Sequence, residues 1–121
     1  MDTNKLLNIV KNALEDKKAK DIKILEVGQI SSIADFMVVA TGNSARQTVA
    51  LAQHVRDQAK QQGHRYFAEE GADVGEWVLV DLGDILVHVM QPETRDFYQL
   101  EKFWDVGGEA WDKMEESSWY K

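Results

Sequence analysis

The stretch Trp77-Val78-Leu79-Val80-Asp81-Leu82-Gly83-Asp84-Ile85-Leu86-Val87-His88-Val89-Met90 decides the fold of this chain. Two apolar runs flank a Gly-Asp pair, which is the pattern of two strands joined by a turn and paired antiparallel. Side chains along a strand point alternately to opposite faces. Trp77, Leu79 and Asp81 therefore share one face of the first strand, and Val78, Val80 and Leu82 share the other. In the second strand, His88 lies on the same face as Leu86 and Met90. One face of this pair must cover a core under helices. The helices of the chain are few, so the opposite face, with Trp77 on it, is expected to be bare.

Working outward, the flanking segments supply the rest of a mixed sheet. Phe36–Ala40 is a continuous apolar run, as in a central strand buried on both faces. Ile22–Val27 reads as a strand ended by Gly28, and Tyr66-Phe67-Ala68 as a short one. The acidic, glycine-containing segment Glu69–Glu76 reads as a loop. Residues 3–16 place Leu6, Leu7, Val10, Ala13 and Leu14 on one helical stripe, with Asp2 or Thr3 as cap. Ala45–Gln62 carries a narrow stripe of Thr48, Leu51, Ala52, Val55 and Ala59, with Gly63 as its stop and His54 on the solvent side. Pro92 suits a first helical turn, and Glu93–Phe103 would align Phe97 and Leu100 with Trp104. The order is α-β-β-α-β-β-β-α: an α/β (α+β) fold with a mixed sheet of about five strands and helices mainly on one face.

A chain of 121 residues that is 44% hydrophobic forms one domain with one modest core. We expect that domain over residues 1–106, followed by an acidic tail over 107–121 that carries Trp111 and Trp119. There is no cysteine, which excludes disulfides, thiolate metal sites and cysteine nucleophiles. No apolar run reaches the roughly 18–20 residues that span a bilayer, and the N-terminus lacks the pattern of a signal peptide. A cytoplasmic location fits these features. The net charge of −7 repels phosphates and anionic membranes at long range and attracts cationic partners.

Catalytic patterns are sparse. Thr41-Gly42-Asn43-Ser44 joins a strand to a helix and has the form of a phosphate-cradling turn. It lacks the glycine spacing of the nucleotide fingerprints, and reads as a capped β-to-α turn. A nucleotidyltransferase-like enzyme using magnesium would combine Ser44 with the carboxylates of Asp35, Asp81 and Asp84. Asp81 and Asp84 sit three apart across a turn, a spacing that does not by itself make them converge. His54, His64 and His88 have no partners at metal-ligand spacing. No cofactor is expected. Two readings of Trp77 stay open from pattern alone: a core aromatic, or the anchor of a protein-docking patch with an acidic rim.

The segments SSIADFMVVATGNSARQ (31–47), EEG (69–71) and WVLVDLGDILVHVMQPETRDFYQLEKFW (77–104) resemble the ribosomal silencing factor family, the Iojap-related proteins. The likeness runs from about Asp21 to Trp104 and rests on two specific motifs, W-V-x-x-D-x-G-D-x-x-V-H-V and E-x-R-x-x-Y-x-L-E-x-x-W. It implies a nucleotidyltransferase-like topology that lacks the catalytic carboxylates, and no enzymatic activity. It implies binding to the large ribosomal subunit through ribosomal protein L-fourteen, with steric exclusion of the small subunit when nutrients are scarce. It further implies a homodimer whose ribosome-binding form is the monomer. The family's docking surface maps onto Trp77, Asp81, Leu82, Asp84 and His88, with Arg95 and Tyr98 beside them. The rival without a ribosomal role is a dimeric assembly adaptor.

Overall fold

The computed structural model describes residues 2–29, 32–100 and 102. The amphipathic stripe of the N-terminal segment forms α1 (Thr3–Asp16) and buries Leu6, Val10, Ala13 and Leu14. Its cap is Asp2, whose carboxylate accepts the Asn4 N–H at 3.4 Å. Strands β1 (Lys20–Glu26) and β2 (Phe36–Thr41) follow, then α2 (Ala45–Gln61). Ser44 Oγ accepts the Gln47 N–H at 3.1 Å, and Gln47 Oε1 accepts the Asn43 N–H at 2.7 Å. This reciprocal cap occupies backbone donors that a phosphate would need. At the other end Gly63 takes φ +98°, a left-handed conformation open to glycine, and stops the helix. Strands β3 (Ala68–Glu70), β4 (Trp77–Asp81) and β5 (Ile85–Met90) and helix α3 (Pro92–Tyr98) complete the chain.

The five strands form one mixed sheet in the order β1-β2-β5-β4-β3. Only β2 and β5 run parallel, Phe36 opposite Ile85 through Thr41 opposite Met90. The strand pair that opened the reading has the expected antiparallel register, with Trp77 opposite Met90 and Leu79 opposite His88. Helices α1 and α2 cover one face, where Leu6, Leu14, Leu51 and Val55 pack on Val38, Val78, Val80 and Val87. Among the described residues no helix is long and apolar enough to cross a membrane.

Four local expectations are corrected. The opposite face of the sheet is not bare. Met37, Val39, Leu79, Leu86 and Met90 are buried in a second cluster with Val27, Ala34 and Leu100. Val27 and Ala34 belong to the β1–β2 connection, and Leu100 to the chain just after α3. Tyr66 and Phe67 are exposed, and β3 begins only at Ala68. Ala68 pairs with Asp81, the last residue of β4, so Phe67 and Tyr66 lie opposite a turn and have no strand to join. Arg56 instead holds this segment against α2, stacking 5.2 Å above the Phe67 ring and reaching Glu69 at 3.4 Å. His54 is not on the solvent side. It faces α1, with Nε2 3.4 Å from Asp16 Oδ2. Finally, α3 ends at Tyr98 because Gln99 turns left-handed (φ 50°) and its N–H returns to the Arg95 carbonyl. Trp104 and the expected tail lie outside the described residues.

Candidate docking surface

Strand β4 starts where it does because the loop before it is tightly specified. Gly71 has φ +90°, and a Cβ there would collide with the Trp77 carbonyl oxygen. Gly75 has φ +80° and is buried against Ala45. Its carbonyl accepts from the Thr48 hydroxyl and, at 3.0 Å, from Gln91 Nε2. The loop is thereby tied to both α2 and the end of β5, and it delivers Trp77 onto the second face of the sheet.

On that face Trp77 and His88 are diagonal cross-strand neighbours. The Trp77 indole N–H donates to His88 Nδ1 at 3.0 Å. An indole N–H can only donate, so Nδ1 is the acceptor and the imidazole proton resides on Nε2. His88 is fully buried, and burial lowers its pKa from 6.5 to about 3. It is therefore a neutral ring at any physiological pH, set beneath the tryptophan. Above them, the Tyr98 ring lies 4.8 Å from Trp77 at a 55° tilt. Phe97 meets Tyr98 edge-on at 5.0 Å. Four rings thus run from the core to solvent, with Phe97 80% and Tyr98 49% exposed. Such tilted and edge-to-face contacts favour a fixed arrangement over a loose one.

Arg95 braces this end from behind. Its Nη1 donates to the Asp21 carbonyl at 2.6 Å and to Thr41 Oγ1 at 2.8 Å. Asp21 stands at φ 51° where the β1–β2 register shifts, so the guanidinium locks α3 to an irregular strand edge.

The remaining expected site residues stand at the other end of the strand pair. Asp81 Oδ1 accepts the Gly83 N–H at 2.8 Å and so shapes the turn. Asp84 Oδ2 accepts from the Thr3 hydroxyl at 3.3 Å, and the Asp84 carbonyl accepts the Asp35 and Phe36 N–H groups. Leu82 is only 1% exposed and belongs to the helix-covered core, while its carbonyl receives His64 Nε2 at 2.8 Å. The seven residues therefore fall into two groups. Trp77, His88 and Tyr98 stack together with Arg95 bracing the same end, while Asp81, Leu82 and Asp84 lie toward the other end, Asp81 about 13 Å from Trp77 at the strand rise of ~3.3 Å per residue.

The same geometry separates the parts of a magnesium-dependent transferase. Asp35 and Asp84 precede β2 and β5, which run parallel, whereas Ser44 follows the far end of β2. A strand of that length separates them by about 20 Å. Among the described residues no set of three or more His, Asp or Glu side chains is disposed to hold a metal ion.

Sequence reasoning missed Phe97, Glu76 and Glu93. A longer helix would align Phe97 with Leu100 on one stripe. With α3 ending at Tyr98, only Leu100 turns inward. Glu76, Gln91, Glu93, Thr94, Phe97 and Tyr98 line a pocket of about 310 Å³ beside the ring stack. The helix stop that leaves Phe97 on the surface carries no glycine, so no residue type marks it.

Residues 1–119 match the family model described as "Ribosomal silencing factor during starvation". The chain is 41% identical over 109 residues to the ribosomal silencing factor RsfS of Zymomonas mobilis, covering 90% of this chain and 82% of that one. It is 42% identical over 104 residues to the RsfS of Bacillus subtilis, covering 86% and 88%. A crystal structure of a Chromobacterium violaceum protein superposes with a TM-score of 0.85 at 44% identity, over 87% of this chain and 88% of that one. With a family model matched along nearly its whole length, the chain belongs to the ribosomal silencing factor (RsfS) family.

Proposed function

We propose that this protein represses translation in the cytoplasm by docking on the large ribosomal subunit through ribosomal protein L-fourteen. Seated there, it keeps the small subunit from joining when nutrients are scarce. The mechanism is steric and needs no chemistry, so its strength follows occupancy. The free protein is a homodimer, and the monomer is the form that docks. The sheet serves as a nucleotidyltransferase-like scaffold without a catalytic centre, in keeping with the separation of Ser44 from Asp35 and Asp84.

One observation carries the choice of surface: an ordered ring stack, Trp77 against Tyr98 at 4.8 Å and Tyr98 against Phe97 at 5.0 Å, that emerges from the core into solvent. Rigid aromatic groups with low ordering cost are the usual anchors of protein interfaces. In this role His88 orients Trp77 from below, Arg95 holds α3 in place, and Trp77 and Tyr98 make the contact. Asp81 and Asp84 add negative charge toward a basic ribosomal protein, and Leu82 supports the turn from inside. The net charge of −7 favours approach to such a protein over bare RNA.

The test is co-sedimentation with purified large subunits, with and without small subunits. Folded Trp77→Ala and Asp81→Lys proteins are expected to lose binding, and small subunits are expected to compete with the wild type. If both folded variants pellet with large subunits as the wild type does, the surface is wrong. A transferase, by contrast, would melt at a higher temperature with nucleotide and magnesium.

A further inference from the structure

The pocket beside the ring stack has a chemistry of its own. Two carboxylates, Glu76 and Glu93, an amide from Gln91, and the rings of Phe97 and Tyr98 line about 310 Å³, and no lining residue is basic. The fold brings the two carboxylates together from different elements. Glu76 precedes β4 and its carbonyl accepts the Gln91 N–H at 2.9 Å, which sets it beside the end of β5. Glu93 follows Pro92 in the first turn of α3. Phe97 lies one helical turn beyond Glu93, and the two share a side of the helix. A hydrophobic ring left 80% exposed in a pocket shared with two carboxylates is a poor fit to water and to an apolar partner alike. It suits a cation with a flat, weakly hydrated face.

We propose that this pocket takes an arginine side chain of the protein partner, its guanidinium stacked on Phe97 or Tyr98 and hydrogen-bonded to Glu76 and Glu93. Arginine is preferred to lysine because its planar fork both stacks on aromatic rings and pairs with carboxylates. The inference rests on the docking reading above and adds the partner chemistry of that surface. It also brings in Glu76, Glu93 and Phe97, which are not among the docking residues expected from the sequence.

Two arms test it with the full chain. In the first, acetyl-Gly-Arg-Gly-amide is titrated into the protein while the Phe97 and Tyr98 ring protons are followed by NMR. The citrulline and lysine counterparts serve as probes that lack the charge or the planar fork. The arginine peptide is expected to shift those signals at concentrations where the other two do not. In the second arm, large-subunit binding is measured for Phe97→Leu and for the Glu76→Gln, Glu93→Gln double variant. Each is expected to weaken binding by about tenfold, the scale of one cation–π or charge-assisted contact. Phe97 is exposed, so the leucine variant should keep its fold, which circular dichroism checks. Wild-type affinity in both variants overturns the proposal while leaving the docking surface intact. If the wild type itself fails to bind large subunits, the docking reading falls and the peptide arm decides alone. There, equal shifts with arginine and citrulline, or with arginine and lysine, or no shift at all, overturn the pocket.

Discussion

Replacing His88 by asparagine should flatten the acid dependence of stability. In the folded chain His88 is fully buried, and its pKa falls from 6.5 to about 3. Between those values the unfolded chain binds a proton that the folded chain does not. Stability therefore rises with pH across that window and is lost as pH falls from about 6.5 toward 3. Each unit costs about 1.4 kcal/mol, so going from neutral pH to pH 5 removes roughly 2 kcal/mol through this one ring. For a chain of this size that is about 8 °C in melting temperature. Asparagine places an oxygen near the position of Nδ1 and keeps an acceptor for the Trp77 indole, but it cannot titrate. Its smaller volume lowers stability at every pH, so the quantity to read is the slope. Thermal melts of both proteins at pH 7 and pH 5 give two differences, and contributions common to both proteins cancel between them. The wild type should lose about 8 °C more than the variant. Equal losses would refute the picture of His88 as a neutral ring held beneath Trp77.

Two further perturbations read the scaffold. Gly71→Ala puts a methyl group onto the Trp77 carbonyl at a left-handed backbone position, and should cost at least about 2 kcal/mol in chemical denaturation. Leu82→Ala removes a side chain only 1% exposed, and should destabilise by about 2–4 kcal/mol in the same measurement.

The strand pair was legible because both faces of β4 and β5 are packed, so each strand reads as a continuous apolar run on one side of the Gly83-Asp84 turn. Capping residues likewise marked both ends of α2, through Ser44 and Gly63. What could not be read were features set by register and by non-glycine backbone. Ala68 starts β3 only because β4 stops at Asp81, a pairing that no local pattern encodes. Gln99 turns left-handed without the glycine that usually announces such a stop, and so Phe97 parts from the buried Leu100 and stays on the surface. The covered second face was missed for a related reason. Helices were counted as the only possible cover, whereas Val27 and Ala34 from a strand connection, with Leu100 just after α3, join the cluster on it.

The candidate surface also needs its two ends told apart. Trp77 and Asp81 stand at opposite ends of β4, about 13 Å apart. A standard interface buries roughly 800 Å² per partner, a patch about 30 Å across, so one partner can touch both. Asp81→Lys, however, changes two things together: it reverses a charge, and it removes the acceptor that holds the Gly83 N–H at 2.8 Å. Asp81→Asn separates them, since its amide oxygen keeps that bond while the charge is gone. If the carboxylate acts by attracting a basic partner, Asp81→Asn should slow association by a few-fold and reduce its salt dependence, with dissociation nearly unchanged. If Asp81 acts only by shaping the turn, the asparagine variant should bind as the wild type does and the lysine variant alone should fail. Stopped-flow association with labelled large subunits at two salt concentrations distinguishes the outcomes. A loss in Asp81→Asn confined to the dissociation rate would contradict both accounts and make the carboxylate a direct, desolvated contact.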